Sequence, residues 1–269
     1  MIRIAMSIIA LAFLASPAFA QSNIVRIGGA GLLSDLTLPM TKGFVVREST
    51  CRFALVPSTT GGGFKKWIAG EVQLVQATRK ITDREIKEAT AKGIEPAFRF
   101  VGVVPVAVIT RADNPVQSLT LEQLRKIFTG EITDWREVGG PNQKIVVTTR
   151  EVPKTGTGVV FQREVLGGAP YAPGHRVMSS YGTTVAVCSK SWAIGYIPTS
   201  TAYFKNFEKE GTKILGIKKT RDGHPMIPAY GATKKTDYPV TTMFFYYWDA
   251  KSNNRCMAHF ADFAGETVK

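Results

Sequence analysis

Three segments of this 269-residue sequence place glycines beside hydroxyl side chains, directly before a helical pattern. They are Gly28–Ser34, Ser58–Gly63 and Lys154–Gly158. The first backbone amides of a helix have no partner inside it and lie at the positive end of its dipole. Glycine lets a ligand approach those amides, and hydroxyls add donors. Each turn alone is equally typical of an ordinary N-cap, but three of them together predict an anion site.

Apolar stretches precede these three turns and also Thr78–Arg79, and they predict the strands that position them. The predicted strands are Ile24–Ile27, Phe53–Val56, Val72–Ala77 and Ile145–Thr148. The fourth empties into the loop from Arg150 to Gly158, where Arg150 and Lys154 add positive charge. Strands that alternate with helices are typical of the α/β class, which we therefore predict for this chain.

One helix is bounded clearly by its own pattern. Thr120 is placed to cap its beginning and Gly130 to end it. Apolar residues lie three or four apart, as one helix face requires: Leu121, Leu124, Ile127 and Phe128. We interpret this helix as packing, because its face carries no chemically distinctive residue.

Two long β-branched and aromatic stretches are too extended for ordinary strands. They are Ala97–Thr110 and Tyr238–Trp248, and we interpret them as an outward and a return crossing between two lobes, which would make a hinge. The segment 206–235, rich in Lys and Gly, is predicted to form an irregular solvated surface.

The order LTLEQLRKIFTGEITDW, followed by the Gly/Thr turn, resembles the PstS-like phosphate-binding proteins of ABC importers. The resemblance implies a two-lobe periplasmic-binding-protein fold of type II, with two crossover strands and a ligand cleft between the lobes. Lobe 1 would comprise 21–103 plus 240–269, and lobe 2 would comprise 104–239. The implied ligand is inorganic phosphate or a similar oxyanion, and the implied partner is an ABC permease in the inner membrane.

Carried over residue by residue, the resemblance predicts a ligand-binding set of hydrogen-bond donors. Two departures affect it: Leu33 and Ser34 stand where the family has a hydroxyl residue, and Lys154 replaces a glycine. Arg150 matches only with one residue inserted. The predicted set is Ser34, Thr60, Gly61, Thr78, Arg79, Arg150, Thr155, Gly156 and Thr157.

The segment Ala77–Arg79 bears on specificity. Family members carry Ala-Ser-Asp, whose aspartate accepts the proton of hydrogen phosphate, or Ala-Ser-Arg, and this sequence follows the second form. A site of donors alone is expected to tolerate any tetrahedral dianion. Alternatively, Arg79 pairs with Asp83 or Glu85 and never touches the ligand, and Glu151 could restore an acceptor.

The N-terminal Met1–Ala20 has a basic residue, an apolar run and a small-x-small end, which predicts a secretory signal peptide and a periplasmic location. The formal net charge of +13 attracts anions of any kind. Export and the lack of a basic helix or aromatic stacking motif argue against nucleic acid. We expect a monomer.

Three cysteines occur in an exported chain, where disulfides persist. One bridge with one free thiol and three buried thiols are both compatible with the spacing. In the fold that the resemblance implies, Cys51 and Cys256 fall in the same lobe, so we favour that pair over any pair with Cys188.

The sequence has no metal-ligand spacing, no phosphate loop of nucleotide hydrolases and no Gly-x-Ser-x-Gly motif. We therefore predict a binding protein without metal or cofactor, and not an enzyme. The alternatives are a binder of a larger or less polar ligand, a sensor that engages a receptor, and an exported phosphate-ester hydrolase. Leu33 and the aromatic residues Trp67, Tyr181 and Trp192 motivate the first of these.

Overall fold

The structure, a computed structural model, describes residues 24–152 and 155–268; the predicted signal peptide Met1–Ala20 and Lys154 lie outside this range. The strands are β1 Ile24–Ala30, β2 Arg52–Ser58, β3 Leu74–Ala77, β4 Pro96–Arg111, β5 Ser118–Thr120, β6 Val146–Arg150, β7 Arg176–Met178, β8 Ala193–Pro198, β9 Thr212–Lys218 and β10 Thr241–Asp249. The helices are α1 Ser34–Arg47, α2 Thr60–Ile68, α3 Asp83–Ala91, α4 Leu121–Thr129, α5 Gly156–Leu166, α6 Tyr181–Lys190, α7 Ala202–Lys205 and α8 Arg255–Thr267.

The strands follow one another in the order β2-β1-β3-β10-β4-β8-β6-β7, with β9 paired to β4 and β5. In the first half, β1 runs parallel to both β2 and β3. In the second half, β6 runs parallel to β7 and β8. Neighbouring parallel strands end at the same sheet edge, so the turns after β1, β2 and β3 are brought together.

The long strand β4 joins the two halves of the sheet. From Pro96 to Pro105 it pairs with β10, and from Val106 to Arg111 it pairs with β8 and β9. The predicted crossing at 97–110 is therefore a single continuous strand that changes partners. The return stretch corresponds to β10, which pairs with β3 and β4.

Helix α4 forms where its spacing predicts. The Thr120 side chain caps it, and Gly130, with φ of 87°, ends it. Leu124, Ile127 and Phe128 are fully buried, in a core with residues of β6, β8 and α5. In this core, the Phe161 and Tyr196 rings stack with centroids 3.9 Å apart.

Two further cores matter for the site. The β1–α8 core contains Leu33, Phe44, Leu74, Phe244, Tyr246 and Phe260, among others. The β8–α6 core contains Ala107, Ile109, Val185, Cys188, Ala193, Ile197 and Phe204. None of the helices among the described residues has the length and apolarity needed to cross a bilayer.

The prediction of an irregular surface at 206–235 is partly wrong. Within it, β9 lies between β4 and β5, and its residues Leu215 and Ile217 are fully buried. This strand is hard to recognise in the sequence, because Lys213 and Lys218 stand near its two ends and leave only a short apolar run, interrupted by Gly216, between them.

A disulfide links Cys51 to Cys256, and Cys188 is a buried free thiol, as the favoured pairing predicted. The bridged residues are 205 positions apart, so the bond closes a very long loop in the unfolded chain.

Replacing both bridged cysteines by serine is expected to lower the free energy of unfolding by about 2–4 kcal/mol, because the unfolded state regains the entropy that the bond removes. Urea denaturation of the oxidised proteins measures the effect. The matched control is Cys188→Ala, which removes a buried thiol but no cross-link and should cost less. Equal losses in both variants would mean that the bond contributes packing only.

Candidate functional site

A cavity of about 240 Å³ lies where the first turns of α2 and α5 approach each other beside the end of β3. We call it the α2–α5 cavity. Its lining is formed by Thr59, Thr60, Gly61, Thr78, Arg79, Gly156, Val159, Val160 and Arg163. Five of the nine residues predicted to bind the ligand therefore share one small space, although they come from three separate turns.

The first turns of α2 and α5 contain backbone amides for which the described residues supply no acceptor. The Thr59 side chain caps α2 by accepting from the Gly62 amide, and the structure describes no acceptor for the amides of Thr60 and Gly61. Thr155 caps α5 in the same way, and the amides of Gly156 and Thr157 likewise have no acceptor among the described residues. Such amides carry the positive end of the helix dipole, so the cavity favours an anion.

The hydroxyls of Thr60 and Thr78 form a pair in the wall of the cavity. Their Oγ1 atoms lie 2.9 Å apart, and the Thr78 amide donates to the Thr60 Oγ1 at 3.1 Å. Two hydroxyls that share one hydrogen bond leave one hydrogen over. One O–H of this pair is thus available to donate to a ligand.

Arg79 lines the cavity and is at the same time held by Glu85. The Arg79 Nη1 and Nη2 each donate to a Glu85 carboxylate oxygen at 2.8 Å, and the guanidinium lies 5.5 Å from the centroid of the Phe64 ring. The Thr82 amide and hydroxyl also donate to Glu85. The predicted alternative of pairing is therefore observed with Glu85, and not with Asp83.

The pairing of Arg79 with Glu85 shifts the pKa values of both groups. Burial alone would raise the pKa of Glu85, but the hydrogen bonds from Arg79 and Thr82 outweigh it and lower the pKa. The bond to Glu85 likewise raises the pKa of Arg79. Both groups stay ionised at neutral pH. The Glu85 carboxylate is engaged with Arg79 and Thr82 and does not line the cavity.

Arg150 does not line the α2–α5 cavity. Its Nη1 donates to the Met178 carbonyl at 2.6 Å, and its guanidinium lies 4.8 Å from the centroid of the Tyr181 ring. The Arg150 Nε is buried without a hydrogen-bond partner in the described part of the chain. Thr157 also lies outside the lining, but its Oγ1 is 2.6 Å from the Tyr181 hydroxyl, which connects it to Arg150.

The hydroxyl oxygens of Ser34 and Thr155 make hydrogen bonds to residues outside the cavity lining. The Gln76 Nε2 donates to the Ser34 Oγ at 3.0 Å, and Gln76 is fully buried. The Thr155 Oγ1 donates to the Glu151 carbonyl at 2.8 Å and accepts from the Gly158 amide. Neither side chain lines the cavity, so the structure separates them from the five residues that do.

Four residues of the cavity lining were not predicted from the sequence. The spacing of three of them relative to Gly156 would have indicated their position. Val159, Val160 and Arg163 follow Gly156 at three, four and seven positions, which is one face of a helix. The fourth is the helix cap Thr59, whose hydroxyl oxygen accepts a hydrogen bond from the Gly62 amide three residues later. Arg163 is engaged with Glu164 on the surface, with N–O distances of 2.6 and 2.7 Å.

Comparison with known proteins places the chain in a family. A family model described as a PBP superfamily domain matches residues 16–267. The chain belongs to the PBP superfamily. Its mixed α/β architecture is the periplasmic-binding-protein-like fold, so the fold class predicted from the sequence is confirmed.

The relatives of this chain include proteins named for phosphate. The phosphate-binding protein PstS of Bacillus subtilis (strain 168) is 27% identical over 197 residues, which are 73% of this chain and 63% of that protein. The chain thus spans less than two thirds of that relative's length. The predicted resemblance to PstS-like proteins is confirmed, and these relatives are named as binding proteins and not as enzymes.

Solved structures share the fold. A Clostridium perfringens protein with bound phosphate superposes with a TM-score of 0.69 at 22% identity, covering 89% of this chain and 92% of that chain. An ABC-type phosphate transport receptor from Vibrio cholerae gives a TM-score of 0.64 at 20% identity, covering 89% and 93%. At these identities the likeness establishes the architecture alone.

Proposed function

We propose that this protein is an exported solute-binding protein that captures a tetrahedral oxyanion for an ABC importer. Phosphate is the favoured ligand. The observation that carries the proposal is the α2–α5 cavity, where amides of two helices and one hydroxyl hydrogen, all without an acceptor in the described part of the chain, meet a fixed guanidinium. Each of these groups donates hydrogen bonds, and none of them readily accepts a proton from the ligand. The names of the PstS relatives support phosphate as the ligand.

The proposed ligand contacts follow the geometry. The amides of Thr60, Gly61 and Gly156, with the hydroxyl left over from the Thr60–Thr78 pair, would surround the anion, and Arg79 would supply charge. Charge-assisted hydrogen bonds contribute roughly 1.5–3 kcal/mol each, so a handful on one ion suffices for micromolar binding or better. The Thr157 hydroxyl, next to Gly156 in the first turn of α5, would add one more donor to the ion. Arg150, Ser34 and Thr155 would support this set from outside the lining.

The cavity joins the two proposed lobes, 21–103 plus 240–269 and 104–239. Thr60 and Arg79 lie on one side of it, and Gly156 and Arg163 lie on the other. The α2 and α5 turns would thus approach each other on closure around the ligand. The closed protein would then dock on the permease in the inner membrane as a monomer, and the predicted signal peptide would place it in the periplasm.

The size of the cavity favours a small ion over the alternative of a larger ligand. Its volume of about 240 Å³ lies below the range of roughly 300–1,000 Å³ usual for sites of drug-sized ligands. The aromatic Trp67, which motivated that alternative, is buried in a core with Phe64 and Tyr247.

Calorimetric titration with phosphate, arsenate, sulfate and molybdate tests the proposal. We expect phosphate to bind with micromolar affinity or better, and heat with none of the four would refute an oxyanion site. Incubation with a chromogenic phosphate ester separates binding from the hydrolase alternative, because sustained turnover is incompatible with a pure binder.

The lining of the cavity predicts an unusual anion selectivity, which the same titration measures. Among the described residues, no carboxylate lines the cavity. Strong discrimination between phosphate and sulfate would need an unpaired acceptor group in the site. At a pH where phosphate is a dianion, the affinity for sulfate is therefore expected to lie within about tenfold of that for phosphate. Phosphate affinity should fall as the pH is lowered and the dianion takes up a proton, while sulfate affinity should stay constant. Sulfate binding that is a hundredfold weaker would contradict this selectivity without touching the oxyanion proposal.

A further inference from the structure

Tyr181 contacts two of the residues that the sequence predicts to bind the ligand, although it lies on a different helix from either. It is the first residue of α6, directly after the N-cap Ser180. Its hydroxyl lies 2.6 Å from the Thr157 Oγ1, in the first turn of α5. The guanidinium of Arg150, at the end of β6, lies over its ring at 4.8 Å.

The position of the Tyr181 ring is fixed by packing on both sides. The ring packs against the β1–α8 core and also against the β8–α6 core, which belong to opposite halves of the sheet. A side chain held by two cores loses little further freedom when it makes a hydrogen bond. The Tyr181 hydroxyl is therefore a preorganised partner for Thr157, whose side chain is fully buried.

The direction of the hydrogen bond matters, because Thr157 has only one hydrogen. If Thr157 donates to Tyr181, its hydrogen is consumed; if Tyr181 donates, the Thr157 hydrogen is free for another acceptor. The positive charge of Arg150 over the ring makes the Tyr181 hydroxyl the stronger donor. Burial raises the pKa of Tyr181, against the lowering effects of the Thr157 bond and Arg150, so the hydroxyl keeps its proton at neutral pH.

We infer that Tyr181 is a positioning residue of the anion site, which donates to Thr157 and so directs the Thr157 hydroxyl hydrogen toward the bound oxyanion. Its ring at the same time holds the Arg150 guanidinium near the N-terminus of α5. The inference rests on the proposed function, since it assigns a residue to the same site. It adds a group that acts through Thr157 and does not touch the ligand itself.

A double-mutant cycle tests the inference on the full mature chain. Phosphate affinity is measured by calorimetry for the wild type, Tyr181→Phe, Thr157→Val and the double variant. Each single variant is expected to lose roughly three- to tenfold in affinity, the worth of one neutral hydrogen bond. The double variant should lose no more than the larger single loss, because both substitutions break the same chain of bonds.

The control is Tyr238→Phe, which removes another buried tyrosine hydroxyl. This hydroxyl donates to the Val106 carbonyl at 3.2 Å, and neither residue belongs to the cavity lining. It should reduce thermal stability and leave phosphate affinity unchanged. If the wild type binds phosphate and Tyr181→Phe binds it equally well, the inference is wrong and the proposed function stands. The same holds if the losses of the two single variants multiply in the double variant. A wild type that binds no oxyanion would overturn the proposed function and this inference with it.

Discussion

The Gly156→Asp variant is expected to fold and to bind phosphate about 1,000-fold more weakly than the wild type, as two like charges 4 Å apart repel by about 4 kcal/mol near a protein surface. A Cβ atom at Gly156 would lie 3.2 Å from the Thr78 Oγ1 and 3.6 Å from the Leu32 Cδ2, at the proposed anion site. Gly156 is the first residue of α5, where a carboxylate stabilises the helix dipole, so folding should survive. Calorimetric titration measures the loss.

The matched control is Gly156→Asn, which has the same shape without the charge. It should lose much less affinity than the Asp variant, and both should unfold at a temperature close to that of the wild type. If the Asn and Asp variants were equally impaired, the effect would be steric, and the electrostatic argument for the cavity would be wrong.

The Gly29→Ala variant is expected to lose about 2–6 kcal/mol of its free energy of unfolding, because backbone strain and overpacking each contribute roughly 1–3 kcal/mol. Gly29 has φ of 113°, which L side chains rarely adopt, and a Cβ atom there would lie 2.1 Å from the Gln76 carbonyl oxygen. Neither backbone group can move without separating β1 from β3. Urea denaturation measures the loss.

Gly93→Ala separates the two causes. Gly93 also has a positive φ, 77°, but an added Cβ would meet nothing within 4 Å. Its variant should lose only the conformational part, about 1–2 kcal/mol. A Gly29 variant no less stable than the Gly93 variant would show that the β1–β3 contact yields readily to an added methyl group.

Local patterns predicted much of the fold because their causes are local. Thr120 and Gly130 bound α4 through a cap and a left-handed residue, both of which can be read from the chain. The convergence of Thr60 and Thr78 was predictable, since they follow β2 and β3, which both run parallel to β1 and end at one edge. Gly156 follows β6 in the other half of the sheet, so its approach to them depends on how the two halves pack.

The partners of the two arginines could not be predicted, because several candidates lie within reach of each. Asp83 and Glu85 both follow Arg79 closely, and only the capping of α3 by Thr82 fixes the Glu85 carboxylate where the guanidinium meets it. Arg150 meets Tyr181, 31 positions later, because β6 and β7 pair and bring α6 alongside. Such contacts depend on tertiary packing and not on spacing.

The state of the three cysteines has a practical consequence for following the protein in solution. Two are joined in the disulfide, and burial raises the pKa of the Cys188 thiol to about 12, so it stays protonated and unreactive. A cysteine introduced at Val159 or Arg163 on the cavity rim would therefore be the one thiol open to a maleimide dye. The native chain is thereby ready to be made into a fluorescent reporter of its own ligand without removing any of its cysteines.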